Sequence, residues 1–340
     1  MSEILSPSQK KKRLAGLLRG AACAVVVACL GLNAGAAGYP DRPVRLVVNV
    51  QPGGATDTAA RIVGQKLSER LGQPILIDNR PGAGTRLGTD MVIKAKPDGY
   101  TLGVFYGVST MFHLMFDNQA PLEPGKDFEA VSLFARAPSF LAVNAALPVK
   151  TVPEFVAYAR SKNGAISYGH SGEASAPSLA AKVLLKSIGV QGISVAYKGN
   201  GPTAVAIASG EIDFSLVDFA SVQPLVQRGV VRLIAITEPK RSALAPAVPT
   251  TGEFGITREV DGVTPWFLLA APAGTSAATV ALLNKHVVEI LGMPDVQQRL
   301  RVAGVDVEAS TPAQAAAYFV AQRNKMTAIV RDLGVSLKGQ

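Results

Sequence analysis

Two glycine turns hold the residues best placed to do chemistry in this sequence. In "VQPGGATDT" (50–58), Gly53 and Gly54 are followed by Ala55, Thr56 and Asp57, just where an apolar run gives way to a helical pattern. In "RPGAGTRLG" (80–88), Gly82, Ala83 and Gly84 stand in the same place after the next apolar run. Glycine lets backbone N–H groups approach a ligand with no Cβ in the way. The first N–H groups of a helix also lack intrahelical partners and lie at the positive end of its dipole. Such turns suit the capture of a carboxylate or phosphate by neutral donors. Asp57 suits an N-cap that shapes its turn. Taken alone, either turn could equally serve only to join a strand to a helix.

Catalytic readings find less support. "GAGTRLG" spaces its glycines G-x-G-x-x-x-G, one residue too long for a dinucleotide fingerprint, and the next strand ends in Tyr106-Gly107 with no acid to grip a ribose. The only cysteines, Cys23 and Cys29, lie near the N-terminus, and His113, His170 and His286 are scattered, so neither a metal nor a cofactor is expected. "GHSG" around Ser171 lacks the G-x-S-x-G spacing of a nucleophile elbow. Ser171 better suits a helix start, as a cap or an anion donor. His113, in a loop rich in aromatics and methionine, and His286, in "LLNKHVVEIL", read as packing residues. His170, inside a polar glycine loop, is a candidate ligand contact.

The elements that must position these residues follow from hydrophobic pattern. The chain has 340 residues, 48% hydrophobic and 17% charged, enough for two medium domains with sizeable cores. Lys10 to Arg13 and Arg19, then the apolar "AACAVVVACLGL" and "AGAAG", read as a secretory signal peptide cut after Ala36. Val26-Val27-Ala28-Cys29 makes only a poor lipobox. Removing residues 1–36 takes five positive charges and one negative from the net +9, leaving +5 and no thiol. No basic run interleaved with aromatics points to nucleic acid. "VRLVVNV", "PILIDN" and "GYTLGVFYG" alternate with helical stretches, which predicts a doubly wound α/β domain with loops at the strands' carboxyl ends. A second series runs from "FLAVNAAL" to "VRLIAIT", and "TPWFLLAAPAGT" with three helical stretches forms a return segment. A two-lobed body with its ligand between lobes follows.

The segment from "YPDRPVRLVVNVQPGGATDT" to "IDNRPGAG", together with "KPDGYTLGV", "SYGHSGEAS", "AYKGNGPTAVAIASGEIDF" and "PWFLLAAPAGT", resembles the Bug-type periplasmic solute-binding receptors of tripartite tricarboxylate transporters. The resemblance covers nearly all of the mature chain in order. It implies a type II periplasmic binding fold, a Venus flytrap, closing on a small carboxylate, with no cofactor. By that resemblance Gly53, Gly54, Ala55, Thr56, Asp57, Gly82, Ala83, Gly84, Tyr106 and Gly107 form the first lobe's share of the site. His170, Ser171, Ser175, Tyr197, Lys198, Gly199 and Asp218 form the second lobe's share. His170 replaces what is commonly serine, and Glu173-Ala174 stands where a glycine is usual, so an amino-acid-like ligand enters consideration.

The expected organisation is lobe 1 from 37–138 plus 265–340, and lobe 2 from 139–264. The hinge is expected through Ala137–Leu141 and Thr264–Phe267, with Trp266 near the second crossing. The expected partners are a di- or tricarboxylate, acidic amino acid or aromatic acid, and integral membrane transporter components, and the expected location is the periplasm. A sensor role beside a sensor kinase is one alternative. An exported hydrolase using Ser171 and His170 is another.

Overall fold

The computed structural model describes residues 38–116, 121–172, 175–256 and 263–333. Residues 1–36 and Glu173-Ala174, about which the sequence raised expectations, lie outside the described residues.

Two sheets organise the molecule. The first lobe begins with β1 (Val44–Val48), α1 (Ala55–Leu71), β2 (Ile75–Asn79), a short 3-10 turn (Ala83–Thr85), α2 (Arg86–Ile93), β3 (Thr101–Tyr106) and α3 (Gly107–Phe116). It continues with β4 (Phe128–Arg136) before the chain crosses over. The second lobe holds β5 (Ser139–Asn144), α4 (Val152–Ser161), β6 (Ile166–His170), α5 (Ala176–Ser187), β7 (Gly192–Ala196), α6 (Asn200–Ser209), β8 (Phe214–Asp218), α7 (Phe219–Gln227) and β9 (Val231–Ile236). The chain returns through β10 (Trp266–Pro272), α8 (Ala277–Leu291), α9 (Pro294–Val302), β11 (Asp306–Val307) and α10 (Pro312–Leu333).

The first sheet runs β11-β4-β10-β3-β1-β2 and the second β7-β6-β8-β5-β9. β1 pairs in parallel with β2 and β3, and β6 with β7 and β8, as the apolar strand runs required. The returning β10 is antiparallel, inserted between β3 and β4. One expectation is corrected: His113 falls within α3 rather than in a loop. β4 and β11 also exceed what the strand pattern had suggested.

This winding decides where function can sit. In each parallel unit a helix follows its strand, so the N-termini of α1, α3, α5, α6 and α7 gather at the strands' carboxyl edge. Both crossings between sheets, Arg136 to Ser139 and Ile236 to Trp266, leave from that same edge. The two edges therefore face each other, and Gly304 of lobe 1 touches Ala220 of lobe 2 so closely that an added Cβ would lie 2.9 Å away.

Candidate functional site

The turn after β1 is shaped by Asp57, though not as its helix cap. The N-cap of α1 is Gly54, with no side-chain hydrogen bond, and Asp57 sits three residues further on. Its carboxylate, only 3% exposed, reaches back to accept from the Gly53 N–H at 2.9 Å, and also from Arg61 at 3.0 Å and Asn79 at 2.9 Å. Burial by itself would raise this carboxyl, but the bonds from Arg61, Gly53 and Asn79 outweigh it and hold the group below its ordinary value. The charge is thus spent inside the turn. Gly53, at φ +89°, needs its glycine, and both it and Gly54 are exposed. Ala55 is half-buried and Thr56 buried. Their N–H groups open α1 and have no intrahelical acceptor.

The second turn is strained. Gly82, Ala83, Gly84 and Thr85 all have positive φ, at +128°, +41°, +56° and +86°. For an alanine and a β-branched threonine this is costly, of order 1–3 kcal/mol each, and such strain collects at ligand clamps. A buried polar network holds it. Asn49 donates to Thr89 and Thr110, each at 3.1 Å, and accepts from the Tyr106 N–H at 3.0 Å. The Thr85 and Thr110 hydroxyls lie 3.2 Å apart. Asn49 therefore ties both turns to the end of β3. The sequence reading missed Asn49, Thr85, Thr89 and Thr110; the available signal was a polar residue closing the apolar run "VRLVV". Tyr106 is half-buried at this edge, and its phenol is pushed up by burial and, second, by the Asp218 carboxylate of the other lobe. Gly107 is buried against Trp266, with an added Cβ falling 2.2 Å from the indole, so only glycine fits this packing.

In lobe 2 the side chains divide sharply. The expected His170 contact is corrected: the ring is fully buried, and its Nδ1 accepts from the Gly172 N–H at 3.0 Å. That leaves the proton on Nε2, 2.6 Å from the Ser194 hydroxyl. A ring so engaged shapes the loop from behind, and the Ser171–His170 nucleophile pair is not formed. Ser171 is exposed, whereas Ser175 is the N-cap of α5, accepting from Ser178 and donating to the Gly172 carbonyl at 2.7 Å. Tyr197 is turned away, its hydroxyl donating to Glu211 at 2.8 Å with burial and this bond pushing it up to about 12. Glu211 precedes β8 and Asp218 ends it, so the Tyr197 hydroxyl belongs to the opposite end of that strand. Lys198 is exposed at the edge. Asp218 caps α7 through Ser221 at 2.9 Å and also accepts from Asn200, a partner the sequence reading did not name.

A rule emerges from the helix starts. α5 and α7 are closed by their own Ser175 and Asp218, while α1 and α6 begin on Gly54 and Gly199 with no side-chain cap. Open N-termini thus stand at the carboxyl edge of each sheet, one in each lobe. Among the described residues no group of three or more His, Cys, Asp or Glu could hold a metal, and no helix is long and apolar enough to cross a membrane.

Two α/β lobes joined by a double crossing, with donor-rich loops on the edges between, define a two-lobed solute-binding protein. The model of the tripartite tricarboxylate transporter family receptor matches residues 59–335, and the chain belongs to that family of periplasmic receptors, which are not enzymes. It is 30% identical over 312 residues to the protein BugT of Bordetella pertussis, covering 88% of this chain and 92% of that one. Among solved structures it is similar to an R. palustris protein with adipate (29% identity, TM-score 0.72, 88% of this chain and 99% of that one). It is also similar to MatC from Rhodopseudomonas palustris with bound malate (30% identity, TM-score 0.69, 86% and 100% covered).

Proposed function

We propose that this receptor captures a small dicarboxylate between its lobes by hinge closure and delivers it to a membrane transporter. The observation that carries the reading is the pair of glycine-capped helices, α1 and α6, which present open N–H groups from opposite lobes. Two carboxylates separated by a short chain match two such donor sets, and charge-assisted bonds of this kind are each worth about 1.5–3 kcal/mol. The ligand contacts are Gly54, Ala55, Thr56, Ala83, Gly84, Ser171, Lys198 and Gly199, with Asp57, His170 and Asn49 holding the loops. Relatives solved with adipate and malate put dicarboxylates of four to six carbons first among the ligands.

Lobe 1 comprises 37–138 and 265–340, lobe 2 comprises 139–264, and the hinge runs through Ala137–Leu141 and Thr264–Phe267. Residues 1–36 act as a signal peptide removed after Ala36, which places the mature protein in the periplasm. The test is a thermal-shift screen with malate, adipate, tricarboxylates, acidic amino acids, aromatic acids and neutral sugars. A ligand at 100 times its Kd adds about 2.7 kcal/mol of stability. Stabilisation by one carboxylate class, with no turnover, is the expected result. Stabilisation by neutral sugars alone would sink the reading.

A further inference from the structure

A second recess opens between the lobes at the hinge, lined by neither glycine turn. It encloses about 690 Å³, within the ~300–1,000 Å³ usual for small-molecule sites. One wall is the lobe 2 segment 238–243, after β9; the other comes from α9 and β11 of lobe 1. Its charges are sorted by depth. On the floor, Arg136 donates to Glu308 at 3.0 Å and Glu238 at 3.2 Å, and its guanidinium lies 4.7 Å from the centre of the Tyr318 ring. Asp306, accepting from the Ser242 hydroxyl, is the floor's third carboxylate. Arg136, with Arg301 acting on Asp306 from the rim, faces three carboxylates, so the floor stays one positive charge short. Glu238 is only 5% exposed, and its Oε1 makes no well-aligned hydrogen bond, with the Thr264 hydroxyl alongside the carboxylate. Burial raises the carboxyls of both Glu238 and Asp306, as expected of acids whose charge is incompletely matched. The rim is the reverse. Lys240 and Arg301 are exposed there, while Arg241 is spent on Glu253 at 2.6 Å.

We propose that this hinge recess binds a small zwitterion, an ammonium and a carboxylate on one short chain as in a free amino acid. The ammonium faces Asp306 and Glu308, and the carboxylate faces Lys240 and Arg301. A simple anion meets the negative floor and a simple cation meets the positive rim; a dipolar molecule matches both. Because the walls belong to different lobes, the fit depends on the lobe angle, so occupancy here and in the cleft are thermodynamically linked.

The test is an NMR titration of the ¹⁵N-labelled purified protein with glycine and 4-aminobutyrate, using acetate and ethylamine as singly charged controls. The amides of Ser242, Ala243, Val305 and Val307 report the recess, and those of Gly54 and Ala83 report the cleft. The zwitterions are expected to shift the recess amides saturably, with the controls about tenfold or more weaker. Lys240→Glu with Arg301→Glu, both exposed and tolerable to the fold, should weaken the zwitterions by a similar factor, and Asp306→Asn should narrow their advantage over acetate. Shifts confined to Gly54 and Ala83, equal shifts with acetate, or indifference to the charge reversals would overturn the proposal. Recess amides that move in a protein whose cleft ignores every carboxylate would refute the function proposed above and leave this site standing.

Discussion

Asp57 is a carboxylate buried beside a turn that offers its N–H groups to anions, and it is tolerated there because Arg61, Asn79 and the Gly53 N–H consume its charge. Its folded value is depressed below the ordinary 3.8, so the stability it contributes is present above about pH 4 and is lost as pH falls through the folded value. Asp57→Asn is therefore expected to cost about 1–3 kcal/mol at pH 7, and the deficit should shrink in acid; urea unfolding at pH 7 and pH 3 measures both. Ser171 and His170 make a sharper contrast, being adjacent in sequence and opposite in exposure. Ser171→Ala should leave the melting temperature unchanged and weaken ligand binding about tenfold, the loss of one hydrogen bond of ~1.4 kcal/mol. His170→Ala should lower stability by roughly 2 kcal/mol or more, since it orphans the Gly172 N–H and opens a cavity. Calorimetry of the two variants with and without ligand separates these outcomes.

At the scale of elements, what distinguishes the helices is how each begins. Thr151 and Glu154 form a full capping box on α4, so the start of that helix is satisfied by its own side chains. α1, begun by Gly54, is left open. Gly54 has φ −82° and open space where a Cβ would stand, so serine fits there. Gly54→Ser should raise stability by a few tenths of a kcal/mol by supplying the missing cap, while lowering ligand affinity because its hydroxyl takes the N–H group that the carboxylate needs. Greater stability with unchanged affinity would remove α1 from the site. Gly107 serves a different purpose, starting α3 against the face of Trp266. Gly107→Ala should destabilise by about 1–3 kcal/mol through overpacking, read as a lower denaturation midpoint and a changed tryptophan emission.

Across the whole molecule, the lobes are less separate than their sheets. One apolar cluster joins Phe105, Leu133 and Trp266 of the first sheet to Leu141, Tyr168 and Phe214 of the second, with Phe319 and Met326 of α10 among them. α10 packs on β4 and also reaches α5, where Lys186 donates to the Asp332 carbonyl at 2.7 Å. A core continuous through the hinge predicts one cooperative unfolding transition for both lobes. Phe319→Ala should lower stability by about 3–5 kcal/mol without splitting that transition; two transitions in calorimetry would show that the lobes fold independently.

The alternation of strands and helices in each lobe and the glycine turns were legible in the sequence, because each rests on local hydrophobic period and turn chemistry, though β4, β11 and the helix at His113 were not; the ligand-binding fold was implied by the family resemblance. The turn at Gly53 and the capped start at Thr151 follow the same local logic. What the sequence did not determine was which polar residue faces the ligand. His170 and Ser171 are neighbours with alternating directions on a strand end, so only packing against β7 decided that the histidine turns in. Tyr197 stands beside Lys198 and Gly199, yet Glu211 draws its hydroxyl to the other end of β8. Asn49 meets Thr110 across 61 positions and the recess gathers Arg136, Glu238 and Asp306 from three separate segments, contacts that exist only once the chain has crossed twice between its sheets.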